Sequence, residues 1–390
     1  MTDFGKLVPA YIQKLASYKP GKPRRQAELE SGVRCIKLAS NENPFGPSPL
    51  AMEAIRAATA EVNFYPDTAV TELTARLAEI HELEPGQILV TAGSTTFLEI
   101  LARTLLGPGL NAVTSRLSFI VYPIVTRATG AQFIEARVLN DGYDLDGMLA
   151  AIDANTRVVY IANPNNPTGT VLDAKTIDRF LERLPSHVIT VLDEAYHDFA
   201  SYFAAERGLD YSHSLDYVRA GRPVVVLRTF SKAHGLAGLR VGYGMGPAEL
   251  IGYLVRMKPA FMVSSLGEAG ALAALADAEH VQRAVENNAA GESLLAPAIA
   301  EMGIRVVPTW ANFLFCDVGE DARPLCRALQ AEGVIVRPMS GGWGAPNAFR
   351  VTIGTPEQNQ QLLAALRRVR SRLPVADHSP EDHESLPQRG

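Results

Sequence analysis

The sequence predicts an α/β protein: a large domain on a mostly parallel sheet between helices, followed by a smaller α+β domain. Three observations carry this expectation. Short β-branched runs alternate with amphipathic helical stretches between residue 88 and about residue 230, the pattern left by strand–helix–strand crossovers in a parallel sheet. The runs at 158–162, 188–192 and 224–227 are almost wholly apolar, as strands covered on both faces must be. A chain of 390 residues, 47% hydrophobic, is long enough for about two or three domains, each with its own core.

Taken in order, residues 1–48 read as irregular, with turn signals at Lys19-Pro20-Gly21-Lys22-Pro23 and Asn43-Pro44-Phe45-Gly46-Pro47. A strand at 88–91 runs into a helix from 94 to 106, with Ser94 at the N-cap. A strand at 111–114 and a helix at 119–129 follow, then the strand at 158–162 and a helix at 174–184. The strands at 188–192 and 224–227 complete the alternation. After about residue 285 a helix-rich stretch precedes strands at 304–307, 313–316, 334–336 and 349–353 and a helix at 356–373. The expected division is 1–48 as a segment joining the small domain, 49–285 as the large domain and 286–373 as the small one. Residues 374–390 hold Pro, Ser, His and acidic side chains with almost nothing apolar, the composition of a disordered tail.

Composition narrows the function. With 37 basic and 42 acidic side chains and a net charge of −5, there is no polycationic surface for nucleic acid or an acidic membrane. Cys35, Cys316 and Cys326 lack the close spacing of a disulfide framework or zinc site. No run of about 18 apolar residues is present, and the start lacks a signal-peptide stretch. A cytoplasmic protein that works on small molecules is the expectation.

Ligands of open parallel sheets bind beyond the carboxyl ends of the strands, so the polar residues that follow each apolar run matter most. The first run ends in Ala92-Gly93-Ser94-Thr95-Thr96 and enters a helix, whose free N–H groups suit an anion. The second ends in Asn163-Pro164-Asn165-Asn166-Pro167-Thr168-Gly169, a stiff turn rich in amides. Its Asn166–Pro167 bond is a candidate cis peptide. The third ends in Asp193-Glu194-Ala195-Tyr196, where a carboxylate at the edge of a buried strand calls for a cationic partner. The fourth ends in Arg228-Thr229-Phe230-Ser231-Lys232 and continues to Gly238-Leu239-Arg240. A lysine in a crowded, desolvated place loses its proton readily and attacks carbonyls, while Arg240 offers a fork for phosphate. Each feature alone has a bland reading as a cap or a turn. Together they supply an anion cradle, an imine-forming lysine, an acid and two partners for a phenolic oxygen, the set that pyridoxal phosphate needs.

At these residues the chain resembles the class I/II aminotransferases of fold type I. Ser231-Lys232 with Gly238-Leu239-Arg240, the Asn165-to-Gly169 turn and Asp193-Glu194-Ala195-Tyr196 stand in that family's order. Within it the chain is most similar to histidinol-phosphate aminotransferases, through Tyr18-Lys19-Pro20-Gly21-Lys22-Pro23, the stretch 38–47, Tyr65-Pro66-Asp67 and the stretch 350–355. The resemblance covers residues 7 to 372. It implies a seven-stranded sheet in a large domain that binds pyridoxal 5′-phosphate, with residues 1–48 covering the active site. It further implies that Lys232 carries the cofactor and shuttles the proton, that Asp193 pairs with the ring nitrogen, and that Asn166 and Tyr196 bond the ring oxygen. Phe119 stands where the family stacks an aromatic on the ring. Thr229, Ser231, Arg240 and the amides of Ser94 and Thr95 would hold the phosphate. Tyr65 would reach the neighbouring site across a homodimer interface. Tyr18, Asn166, Arg350 and Arg337 would bind the substrate. The implied reaction moves an amino group from an amino donor to 2-oxoglutarate. Histidinol phosphate is the first candidate donor and an aromatic amino acid the alternative; decarboxylation of an amino acid phosphate is a more distant one. The family commonly has an acid or amide after Gly93, and Ser94-Thr95-Thr96 departs from that.

Other signals fall away. Gly242-Tyr243-Gly244-Met245-Gly246 lacks the last-glycine spacing of a dinucleotide loop and reads as a closely packed strand. Asp141, Asp144 and Asp146 lack the spacing and closing Glu of a calcium loop, so a turn and helix cap is the better reading. His197 and His234 read as hydrogen-bonding neighbours of the site, and no histidine pair has metal spacing.

Overall fold

The computed structural model describes residues 2–15 and 21–372; Tyr18 and the stretch 374–390 lie outside them. Seven strands form the principal sheet: β1 (Ile88–Thr91), β2 (Asn111–Ser115), β3 (Gln132–Ala136), β4 (Thr156–Ala162), β5 (Ile189–Asp193), β6 (Val224–Thr229) and β7 (Gly242–Met245). Their spatial order is β1-β7-β6-β5-β4-β2-β3. Only β7 runs antiparallel to its neighbours.

The apolar runs have a direct physical reason. Along β6, Val224 and Val226 join one core with Val159, Ile161 and Leu192. Val225 and Leu227 join a second with Val158, Tyr160 and Val191. Successive side chains point to opposite faces, and both faces are covered, so both favour apolar residues. The glycines of β7 answer to helix α1 (Ser94–Leu105). A Cβ on Gly242 would fall 2.5 Å from the Ser94 amide, and one on Gly244 would overlap the Phe97 ring. Close backbone packing explains that spacing.

The small domain is an antiparallel sheet of β8 (Arg305–Val307), β9 (Phe313–Asp317), β10 (Arg337–Pro338) and β11 (Ala348–Thr352), in the order β8-β9-β11-β10. Leu314, Phe349 and Val351 pack there against Leu362 and Leu366 of the closing helix Pro356–Arg370. Ile36–Lys37 pairs in parallel with Val334–Ile335, which ties the N-terminal segment to this domain. Helix α2 (His197–Arg207) follows β5, and α3 (Ala278–Ala300) runs through position 285. On α3, Val285 packs with Tyr196, Phe199 and Phe313, while Leu295 and Ile299 belong to the small-domain core.

Three local expectations need correction. The cis peptide is Asn163–Pro164, not Asn166–Pro167; the latter lies in a turn closed by the Gly169 N–H donating to the Asn165 carbonyl at 2.8 Å. Ser94 is the first helical residue, and the cap position belongs to Gly93, whose φ of 85° and ψ of 155° suit no other residue type. The helix after β2 spans Val121–Arg127 and is shorter than 119–129, because Leu117 turns left-handed at φ 61° and 118–120 lead into the helix. Asp144 does cap the next helix, accepting from the Gly147 N–H at 3.0 Å.

Candidate active site

A cavity of about 270 Å³ opens at the carboxyl ends of β4, β5 and β6, between the principal sheet and the small domain. It gathers Ser94, Thr95, Phe119, Asn166, Asp193, Tyr196, Thr229, Ser231, Lys232, Arg240, Arg337 and Arg350. Tyr65 is not among them. Its ring is 83% exposed and stacks on Phe261 at 4.7 Å. Ala39, Ser40, Asn41 and Glu42 of the N-terminal segment also line the cavity.

Lys232 follows β6, and its amine donates to the Ser40 carbonyl at 3.3 Å and the Asn41 carbonyl at 3.2 Å. Burial, aided by the Arg350 guanidinium, pulls its pKa down to about 7. An amine so placed is largely free base near neutrality and able to attack an aldehyde. Asp193 ends β5 and is 4% exposed. Burial pushes its carboxyl up to about 6, held back by a hydrogen bond from the Tyr122 hydroxyl at 3.0 Å. Tyr196 starts α2, and its hydroxyl accepts from the side-chain amides of Asn41 at 2.8 Å and Asn166 at 3.3 Å.

The anion cradle comes from three chain segments. Arg240 has φ 56°, and its guanidinium lies so near Gly93 that a Cβ there would stand 2.6 Å from Nη2. Thr229 and Ser231 turn the end of β6, with the Thr229 hydroxyl donating to Ser231 Oγ at 3.0 Å. The start of α1 brings its unpaired amides to the same corner. A phosphate with a ring beside it, an aldehyde toward Lys232 and a ring nitrogen toward Asp193 fits this donor set.

On the opposite wall, Arg350 of β11 is 6% exposed. It donates to the Asn166 side-chain oxygen and, at 3.2 Å, to the Ala39 carbonyl. Its guanidinium lies over Phe313 at 5.1 Å and Trp343 at 5.9 Å. Arg337 of β10 sits directly across the strand pair from it.

Sequence reasoning gave no role to Asn41, Tyr122 or Trp343. Asn41 lay inside a stretch quoted for its resemblance, so a signal existed. Tyr122 and Trp343 reach the site only through packing. Behind the site, Glu194 pairs with Arg228 at 2.9 Å and accepts from the Ser212 hydroxyl at 2.6 Å. His197 stands 3.4 Å from Glu194, and His234 packs on Phe230; both are neighbours of the site. Among the described residues no cluster of His, Cys, Asp and Glu could hold a metal, and no helix is long and apolar enough to cross a membrane.

Residues 33–366 match the family described as aminotransferase class I and II, and the chain belongs to that family. More narrowly, it is 46% identical to histidinol-phosphate aminotransferase 2 of Pseudomonas fluorescens (strain Pf0-1), over 95% of this chain and 99% of that one. It is 43% identical to the histidinol-phosphate aminotransferase of Akkermansia muciniphila, over 92% and 97%. Among solved structures, histidinol-phosphate aminotransferase from Sinorhizobium meliloti in complex with pyridoxal-5′-phosphate matches with a TM-score of 0.84 at 28% identity, over 94% and 98% of the two chains.

Proposed function

We propose that this protein is a pyridoxal 5′-phosphate-dependent histidinol-phosphate aminotransferase that moves an amino group between histidinol phosphate and 2-oxoglutarate. The observation that carries the reading is Lys232, a desolvated amine in a cavity walled by Asp193 and Arg350, in a chain of this family. When bound, the cofactor supplies an electron sink for the bond broken at the substrate Cα.

The chain's own residues do the rest. Lys232 holds the cofactor and then moves the proton at its Nζ, for which a pKa near neutrality is suited. Asp193, ionised above about pH 6, accepts from the ring nitrogen. Tyr196 and Asn166 hold the ring oxygen. Ser94, Thr95, Thr229, Ser231 and Arg240 hold the phosphate, and Phe119 covers the ring. Arg350 and Arg337 take the phosphate of the donor or a carboxylate of 2-oxoglutarate. Tyr18 belongs to the same substrate wall in this proposal, and Ala39 to Glu42 give residues 1–48 their covering role. Phe119 and Trp343 also line the cavity, which favours an aromatic amino acid as the second reading for the donor.

The finer assembly is part of the proposal. Tyr65 is exposed beside exposed Val62, Phe64 and Phe261, an apolar patch suited to a second copy of the chain. We assign it to the partner's cofactor phosphate in a cytoplasmic homodimer. The test is direct. Borohydride reduction followed by peptide mapping should find a pyridoxyl group on Lys232. Histidinol phosphate should be consumed with 2-oxoglutarate faster than phenylalanine or tyrosine. Lys232→Ala should lose at least about 10²-fold in rate, as expected for removal of a positioned proton carrier. A Lys232→Ala protein with full activity, or a preference for phenylalanine, would overturn the respective part.

A further inference from the structure

Tyr122 is wholly buried on the helix Val121–Arg127, and its ring lies flat against Tyr160 of β4, with centroids 4.7 Å apart and planes 5° from parallel. Phe119 meets its edge at 5.5 Å. These two rings fix the phenol, and its hydroxyl ends 3.0 Å from Asp193 Oδ2. The other donor to this carboxylate is the Ala195 N–H, at a long 3.3 Å. We propose that Tyr122 is a positioning residue: its packed phenol aims the Asp193 carboxylate and keeps it ionised for the ring nitrogen of the bound cofactor. This rests on the cofactor reading above and adds a residue that does not itself line the cavity.

The physical case is a balance at one carboxylate. Burial raises the Asp193 pKa, and the Tyr122 hydrogen bond is the foremost effect opposing it. The phenol is kept protonated, since burial and the neighbouring Asp193 push its own pKa well above 10. It therefore only donates. Glu194 beside Asp193 raises that carboxyl further and Lys232 lowers it, with Tyr143 and Tyr211 also within electrostatic reach. Without Tyr122, Asp193 would take up a proton more readily, and a neutral acid no longer balances a protonated ring nitrogen.

The experiment uses three full-length proteins: wild type, Tyr122→Phe, and a variant with difluorotyrosine at 122, which keeps the shape while making the hydroxyl a stronger donor. The carboxyl carbon of Asp193, assigned with Asp193→Asn, is titrated by NMR in cofactor-free protein. Tyr122→Phe should raise the midpoint by roughly one unit, a tenfold gain in proton affinity, and difluorotyrosine should lower it. In the loaded enzymes Tyr122→Phe should reduce kcat about tenfold with KM little changed, as that one-unit shift implies. A role in packing alone predicts the same midpoint in all three, and that result would overturn the proposal. Should Tyr122→Phe fail to fold, the fluorinated protein still decides the matter. Wild type that binds no pyridoxal phosphate would defeat the cofactor reading and this role with it; wild type that binds it while the midpoints coincide defeats the role alone.

Discussion

Arg337 and Arg350 stand opposite each other on adjacent antiparallel strands, and both line the cavity that holds Lys232. Like charges in directly paired positions oppose folding. In the proposed substrate site a dianion binds between them and offsets that cost. Arg337→Gln should therefore raise the KM for histidinol phosphate by about 10- to 150-fold, the equivalent of one charged hydrogen bond at roughly 1.5–3 kcal/mol. Steady-state kinetics of the two proteins check it. An unchanged KM would remove Arg337 from the substrate site.

Lys232 makes the cofactor-free protein's stability depend on pH. Its pKa is about 7 in the fold against an ordinary 10.5, so between those values the unfolded chain binds more protons. Stability from this group then rises with pH across that window, and its cost is fully present below about pH 7. Lys232→Met in cofactor-free protein should melt higher at pH 7, by about 1 °C for each kcal/mol relieved in a chain of this length. The gain should shrink as pH approaches 10.5. Thermal scans from pH 6.5 to 10 test it, and a gain constant with pH would contradict the low pKa.

The strand ends were readable because burial on both faces leaves little choice of residue. Val224 to Leu227 had to be apolar, so the polar residues that follow announced the sheet's ligand edge; Arg228 turns behind it to Glu194, and Thr229, Ser231 and Lys232 line the cavity. Asp193 was legible for the same reason. Tyr122 was not, because its partner lies 71 residues away and no local pattern encodes the pairing. The opposition of Arg337 and Arg350 is likewise a matter of strand register in the small sheet, which neither stretch reveals alone. At Gly93 the general preference for serine caps misled, since the Arg240 guanidinium occupies the space a Cβ would need.

Glu194 and Arg228 form a buried ion pair behind the site, with side chains 1% and 14% exposed. Burial pushes the Glu194 carboxyl up, but Arg228 and His197 outweigh it and hold its pKa well below the usual range. Glu194→Gln leaves the Arg228 charge unmatched and should cost about 3–5 kcal/mol, read as a lower urea midpoint. The pair's contribution is present in full above the ordinary glutamate value of 4.5 and is lost as pH falls below it. The gap between wild type and Glu194→Gln should therefore narrow in acid. A gap that stays constant down to pH 3 would refute the pairing.

The proposed exchange of Tyr65 between subunits makes a prediction that no monomer can satisfy. Tyr65 is exposed and lies outside the cavity of its own chain. If it serves the partner's site, each site combines Lys232 of one protomer with Tyr65 of the other. Lys232→Ala and Tyr65→Ala homodimers should each be impaired, the first more severely. Mixing them under conditions that allow subunits to exchange creates mixed dimers in which one site has lost both residues and the other has lost neither. Activity should then rise above that of either parent, with one intact site in every mixed dimer. Tyr65→Ala alone should weaken retention of pyridoxal phosphate by about 10-fold or more, as expected for loss of one hydrogen bond to a charged group. The measurements are activity after mixing and cofactor loss on dialysis, with sedimentation to establish the dimer. Mixtures no more active than the average of their parents would place Tyr65 in its own chain's business and undo the shared site.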